Sequence, residues 1–175
     1  MPDPTLSQAI AEAYASAPAG EIILHTLEIR HPSFVAPIRV VRDHKDWTFT
    51  LEAGAPLDAG LAVLFTAFAF DFKLPEVSTS ASPEVEISID NVSTEILGYL
   101  DAATQTADKI EVTYRPYLSS APTVPQMVPP LTLTVREITA DVFRVTAVAG
   151  FGDLANRRFP GENYDTQRFP GLIAS

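Results

Sequence analysis

Cysteine is absent from the 175 residues of this chain. Disulfide bonds, zinc ribbons, iron–sulfur clusters and a cysteine nucleophile are therefore excluded. Basic residues are also few: 12 Lys and Arg stand against 22 Asp and Glu, giving a formal net charge of -10. Because phosphate contacts need clustered basic side chains, we expect no direct sequence-specific binding of nucleic acid.

Long apolar runs are missing as well. The most apolar stretch, residues 61–72, is far shorter than the run of about 20 residues that a membrane-spanning helix needs. The N-terminal sequence MPDPTLSQ lacks the basic start and apolar run of a secretory signal. We therefore expect no membrane span and a soluble protein made in the cytoplasm.

Familiar active-site motifs do not occur either. The sequence has no GxSxG, no P-loop and no GxGxxG. The histidines are not spaced for a shared metal, since His25 and His31 would lie about 20 Å apart along one strand, and His44 falls in a polar stretch. We predict no catalytic, cofactor-binding or metal site, and that the chain is not an enzyme.

Acidic residues are plentiful, but their pattern is typical of solvated strand faces. A glycosidase needs two carboxyl groups facing each other across a cleft. Here the acids alternate with apolar residues instead; they are Asp71, Glu84, Glu86 and Asp90.

β-strand patterning dominates what is present, and 46% hydrophobic residues are enough for a core. Alternation and β-branched residues predict strands at 21–31, 37–42, 47–52, 61–74, 84–92, 109–117, 131–138 and 142–149. The segment 61–74 is either one strand or two joined by a kink. Three-to-four-residue periodicity predicts helices at 5–17 and 93–104.

Four local features sharpen these predictions. Phe68, Phe70 and Phe72 share one face and should point into one core. The polar DHKD should join strands 37–42 and 47–52 like a hairpin, and Pro116 should interrupt its strand. Residues 121–130 hold four prolines and should form an extended loop.

These elements predict a mainly β fold: an antiparallel β-sandwich or barrel with one N-terminal helix, one inserted helix and an extended C-terminal tail. The predicted division is an N-terminal helical arm at 1–20, a β-sandwich domain at 21–150 and the tail at 151–175.

The tail contains RFPG twice, at 158–161 and at 168–171. Each copy combines a charge and a ring with a rigid proline–glycine turn, and the rings need a surface to lie on. That surface belongs either to the chain's own domain or to a neighbouring subunit. The predicted interface residues are Arg158, Phe159, Pro160, Tyr164, Arg168, Phe169, Pro170 and Leu172.

A family resemblance accompanies these motifs. The segments are FDFKLP at 70–75, IDNV at 89–92, VTYRPY at 112–117, LTLTV at 131–135 and NRRFPGENYDTQRFPGL at 156–172. Together they resemble a family of minor tail proteins of long-tailed bacteriophages, catalogued as a domain of unknown function. The iron–sulfur cluster of some lambda-type tail-tip proteins is not carried over, because this chain has no cysteine.

The resemblance implies a structural component of the virion's tail tip or baseplate, made in the host bacterial cytoplasm. Such a protein would be a ring- or hub-forming adaptor between the tail tube and the central hub. Its partners would be the tail tube, distal-tail or hub proteins, the end of the tape measure, and copies of itself in a trimeric or hexameric ring. Two other functions stay open: a carbohydrate-binding or adhesin-like β-sandwich module, and a cell-wall hydrolase.

Overall fold

The computed structural model describes Gln8 and residues 21–73, 84–90, 98–99, 102–103, 106, 108–141 and 144–151. Within them lie nine strands: β1 (Ile23–Arg30), β2 (Ile38–Val41), β3 (Trp47–Thr50), β4 (Ala62–Ala67), β5 (Phe70–Lys73), β6 (Glu84–Asp90), β7 (Glu111–Leu118), β8 (Leu131–Ala140) and β9 (Arg144–Gly150). The mainly β fold is thereby confirmed, and the segment 61–74 forms two strands.

The predicted helices fall largely outside the described residues. Gln8, within the predicted helix 5–17, is helical, and so are residues 98–99 and 102–103, within the predicted helix 93–104. The nine strands all lie inside the predicted domain 21–150. The predicted N-terminal arm and C-terminal tail lie outside the described residues, apart from Gln8 and Phe151.

The nine strands form one open sheet in the order β3-β4-β2-β1-β7-β8-β9-β6-β5. Neighbouring strands are antiparallel except β2 and β4, which are parallel. The predicted sandwich or barrel is not confirmed, because the strands belong to a single open sheet.

The predicted hairpin between β2 and β3 is wrong, because β4 lies between them in the sheet. The polar connection crosses the end of β4, where the Asp46 carboxylate accepts a hydrogen bond from the Ala67 amide at 2.7 Å. The physical reason is apolar packing: Trp47 and Phe49 of β3 pack in a buried cluster with Tyr117 of β7. A hairpin beside β2 would forgo that burial.

The predicted interruption at Pro116 is also wrong, since β7 runs through it and Pro116 lies opposite His25 of β1. The Pro116 carbonyl accepts a hydrogen bond from the Gln126 amide at 2.8 Å. In an antiparallel strand the nitrogen and carbonyl of one residue point to the same side, so the proline nitrogen faces away from β1. β8 pairs with β7 only over Glu111–Tyr114. No strand therefore pairs with Pro116 on the side that its nitrogen faces, and the missing backbone N–H leaves no strand hydrogen bond unmade.

Buried residues cover both faces of the central strands. The first core lies on one face and includes Leu27 and Ile29 of β1. Phe68, Phe70 and Phe72 all belong to or pack against this core, as predicted. The alternation predicted for β6 is confirmed, with Val85, Ile87 and Ile89 buried.

The second core lies on the opposite face of β1, β2 and β7. It contains Leu24, Val41, Phe49, Leu51, Ala55, Phe65 and Tyr117. β3, β4 and the intervening loop 51–61, which we call the β3–β4 layer, cover this face. Because the layer covers this face of β1 and β7, it buries their polar side chains as well as their apolar ones.

Candidate functional site

The predicted interface residues all belong to the segment 152–175, which lies outside the described residues; they are Arg158, Phe159, Pro160, Tyr164, Arg168, Phe169, Pro170 and Leu172. Their role therefore stays a prediction. The described residues offer two other features on the second face of the sheet: a buried charge network and an exposed leucine surface above it.

The charge network is centred on Glu28 of β1, which is completely buried. Three arginines surround its carboxylate. Arg39 Nε donates a hydrogen bond to Glu28 Oε2 at 2.8 Å, while Arg115 Nη1 and Arg30 Nε lie 3.5 and 3.6 Å from Oε1. Strand pairing explains the arrangement, because Arg39 lies directly opposite Glu28 in the register of β1 and β2.

The loop of the β3–β4 layer supplies two further carboxylates. Glu52 accepts two hydrogen bonds from Arg115, at 2.7 and 2.9 Å, which is the bidentate geometry typical of strong arginine–carboxylate pairs. Asp58 accepts one from Arg39 at 2.6 Å. These bonds tie the loop to the sheet through charged groups.

The pairing shifts the pKa values of both groups. Burial by itself would raise the pKa of Glu52, but the hydrogen bonds from Arg115, a backbone hydrogen bond and the charges of Arg115 and Arg30 together hold that pKa below its usual value. Burial would lower the pKa of Arg115, yet the bonds to Glu52 and the charge of Glu28 raise it. Both partners therefore stay ionised at neutral pH, and this pair is held by full charges.

Three buried atoms of the network have no hydrogen-bond partner: Glu28 Oε1, Arg30 Nε and Arg115 Nη1. They lie near one another, so charge attraction at 3.5–3.6 Å stands in for directed hydrogen bonds. A buried ionic network of this kind adds little net stability over apolar packing, but losing one partner is costly. Its chemistry suits a structural clamp between sheet and layer.

Sequence reasoning missed this network. On β1 the alternation assigns Glu28 and Arg30 to one face, and such charged residues are typical of a solvated face. The available signal was that the apolar Leu24 shares the same face, since leucine is among the residues most often buried.

Beside the charge network, the second core stacks its aromatic rings. Phe49 lies 4.3 Å from Tyr117 between ring centroids and meets Phe65 edge-on at 5.4 Å. The Tyr117 hydroxyl donates to the Thr50 carbonyl at 2.9 Å. Burial raises the pKa of Tyr117, so the phenol remains a donor across the physiological range.

The outer surface of the β3–β4 layer exposes three leucines, Leu57, Leu61 and Leu64, which we call the leucine face. They are 48%, 58% and 59% exposed. Leu64 points away from the second core, because its neighbour Phe65 is fully buried within it. Exposed apolar side chains mark a protein-binding surface where they adjoin one another.

The acids predicted to lie on solvated strand faces do so, and each pairs with a cation. The pairs are Asp71 with Arg42 at 3.1 Å, Glu84 with Arg136 at 3.1 Å, Glu86 with Lys73 at 4.0 Å and Asp90 with Arg144 at 2.5 Å. Their side chains are all more than one-third exposed. Such surface pairs contribute little to stability, and they do not form the facing pair that a glycosidase needs.

One histidine lies against the first core. His25 Nδ1 and the Tyr114 hydroxyl are joined by a hydrogen bond of 2.7 Å, and the two rings stack. Burial, and secondarily the charge of Arg42, lower the pKa of His25 below its usual value of 6.5. His25 is therefore neutral in the folded protein at pH 7.

We expect this histidine to destabilise the protein as the pH falls below 6.5. Between that value and the lowered folded-state pKa, the unfolded chain binds more protons, so the free energy of unfolding drops. Urea denaturation at pH 7.5, 6.5 and 5.5 measures the slope, and His25→Asn should flatten it. If the slope is the same in the variant, His25 is not its cause. Glu52 cannot produce a slope in this range, because its contribution to the free energy of unfolding is lost only below about pH 4.5.

The first core contains a small cavity of about 30 Å³, lined by apolar side chains that include Ile87, Ile110 and Val112. That volume admits about one water molecule, whereas an engineered cavity of about 150 Å³ is needed for benzene. The cavity is therefore a packing gap and no ligand site.

The described residues contain no group of three or more His, Asp or Glu side chains that could hold a metal ion. Among the same residues, no helix has the length and apolar character needed to cross a membrane. Of the described Phe, Tyr and Trp side chains, only that of Phe151 is exposed.

Comparison with known proteins gives one family. Residues 9–164 match the family described as Domain of unknown function (DUF1833). No curated protein matches the chain. The match takes in all nine strands, the charge network and the leucine face, and on this extent the chain belongs to the DUF1833 family.

Proposed function

We propose that this protein is a structural subunit of the virion, a ring- or hub-forming adaptor in the tail tip or baseplate of a long-tailed bacteriophage. The observation that carries the proposal is the leucine face. Leu57, Leu61 and Leu64 are all exposed on a layer that the charge network ties to β1, β2 and β7. A preorganised apolar surface lowers the ordering cost of binding another protein.

The proposed partners follow from the sequence resemblance. They are the tail tube, distal-tail or hub proteins, the end of the tape measure, and copies of the chain in a trimeric or hexameric ring. The protein would be made in the host cytoplasm and act in the virion. It would have no catalytic role, which stays a prediction.

We also propose that the open sheet curls over itself, giving the sandwich or barrel expected from the sequence. The support is the short connection between β4 and β5. The Phe68 amide donates to the carbonyl of Val41 in β2 at 2.9 Å, and the Ala69 carbonyl accepts from the Asp90 amide of β6 at 3.1 Å. The connection between β4 and β5 is therefore bonded to β2 and to β6, which lie toward opposite ends of the sheet order.

The assembly proposal is tested by native mass spectrometry of the full chain. We expect masses of three or six subunits, and we expect Phe159→Ala/Phe169→Ala to reduce them to the monomer because both predicted anchors are lost. Val35→Ser is the control, since Val35 is 93% exposed and lies outside the leucine face.

A chain that stays monomeric at every concentration would contradict the proposal. Binding on a glycan array would instead favour the carbohydrate-binding function, and clearing of a peptidoglycan suspension would favour the hydrolase.

A further inference from the structure

The outer side of β5 is an open edge of the sheet. Within the described residues, β5 stands last in the sheet order and pairs only with β6. The Asp90 amide of β6 donates to the Ala69 carbonyl at 3.1 Å. Since hydrogen-bonded and non-hydrogen-bonded pairs alternate along antiparallel strands, Phe70 and Phe72 turn their backbone N–H and carbonyl groups away from β6. The sheet therefore ends in two donors and two acceptors that no described strand meets.

The two edge strands of the sheet differ in their cover. At the β3 edge, the Pro122 carbonyl in the loop after β7 accepts a hydrogen bond from the Thr50 amide at 3.2 Å. At the β5 edge there is instead a cleft of about 460 Å³, lined mainly by residues 42–44 and 68–71. Unpaired backbone groups at an edge are a template for another strand. The β5 edge therefore has both the groups and the space to receive one.

The charges of β5 fit a second copy of the same strand. Asp71 and Lys73 are two residues apart, so they lie on one face of the strand, and their side chains are 60% and 73% exposed. In a two-fold antiparallel pairing centred on Phe72, Asp71 of each copy lies directly opposite Lys73 of the other. Opposite charges at facing positions stabilise a strand pair.

The ion pairs that these side chains make within the chain are compatible with that pairing. Arg42 contacts Oδ1 of Asp71 at 3.1 Å, and Lys73 lies 4.0 Å from Glu86. A carboxylate accepts several hydrogen bonds, and exposed pairs hold long side chains only weakly. Asp71 therefore has capacity for Lys73 of a second copy in addition to Arg42.

The two neighbouring registers are disfavoured. A pairing centred on Asp71 places this residue opposite itself, and like charges directly opposite one another are destabilising. A pairing centred on Phe70 sets Phe72 against Phe68, whose amide already donates to the Val41 carbonyl at 2.9 Å. Electrostatics and hydrogen bonding therefore both select the register centred on Phe72.

We propose that two copies of this chain pair edge to edge through β5, antiparallel and centred on Phe72. The two Phe72 residues exchange two backbone hydrogen bonds, and an Asp71–Lys73 pair lies on either side of them. A two-fold contact joins chains in pairs and closes no ring, so the inference goes beyond the proposed tail-tip assembly and does not depend on it. Two hydrogen bonds and two exposed ion pairs make a weak contact, which a covalent trap makes measurable.

Disulfide trapping between full-length variants tests the pairing, because the chain has no cysteine of its own. Asp71→Cys and Lys73→Cys are mixed in equal amounts under mild oxidation, and covalent dimers are identified by mass. Residues that face each other beside the Phe72 pair have Cα atoms about 4.5 Å apart, a distance that a disulfide spans. The mixed dimer should be the main product, and each variant alone should give little dimer.

Val35→Cys is the control for random collision, since Val35 is 93% exposed and lies away from β5 in the sequence. Circular dichroism establishes that all three variants are folded. If Asp71→Cys alone gives as much dimer as the mixture, the register is wrong. If the mixed dimer forms no faster than the Val35→Cys dimer, pairing through β5 is refuted. Native mass spectrometry of the unmodified chain reports the ring separately, so failure of one proposal leaves the other standing.

Discussion

Arg115→Met is expected to lower the free energy of unfolding by about 3–5 kcal/mol, the range found when one partner of a buried ion pair is removed. Arg115 is fully buried and holds Glu52 with two hydrogen bonds while lying 3.5 Å from Glu28. Methionine keeps much of the volume but leaves the two carboxylates without that cation. Urea denaturation at pH 7 gives the change.

Arg144→Met is the matched control. Its ion pair with Asp90, at 2.5 Å, is shorter than that of Arg115, but both side chains are exposed. Water and counterions screen such a pair, so we expect a much smaller change. Equal losses in the two variants would show that burial of the network has no energetic consequence, and the clamp would then be refuted.

Phe49→Ala is expected to cost about 3–5 kcal/mol, the usual effect of truncating a buried aromatic side chain to alanine. Phe49 is fully buried and contacts the rings of Tyr117, Phe65 and Trp47. Its loss leaves a cavity between the sheet and the β3–β4 layer. Surrounding side chains can fill such a cavity only in part.

Trp47 provides a local probe of this variant, because it is the only tryptophan and stacks on Phe49 at 5.9 Å. Its fluorescence should change in the folded state of Phe49→Ala. Leu64→Ala is the control within the same layer, and being 59% exposed it should cost far less. If both alanine variants lose the same stability, Phe49 does not anchor the layer.

The charge network and the leucine face depend on each other physically. Asp58 pairs with Arg39 at 2.6 Å and separates Leu57 from Leu61 in the chain. The network therefore fixes the loop that presents two of the three leucines. Buried ion pairs define one conformation more effectively than they add stability in some proteins. Such a role would suit a binding surface that must be ready before its partner arrives.

Local pattern predicted the strands because alternation reports which side of a strand faces a core. Val85, Ile87 and Ile89 are buried on one side of β6, and Asp71 lies exposed between the packed rings of Phe70 and Phe72. Pattern failed at Pro116, where the open side of β7 removes the need for a donor. It failed again at DHKD, where packing of β3 on β7 overrides the short connection.

The sequence alone was enough to predict a mainly β protein, to exclude cysteine chemistry and to place Asp71, Glu84, Glu86 and Asp90 on solvated strand faces. Only the tertiary structure decided that Glu28 and Arg115 are buried and that Leu57, Leu61 and Leu64 are exposed. The reason is distance along the chain. Arg115 and Glu52 are 63 residues apart, and only the folding of the β3–β4 layer over β1 and β7 brings them together. A periodic pattern reports neighbours within one strand and carries no information about which layer will cover it.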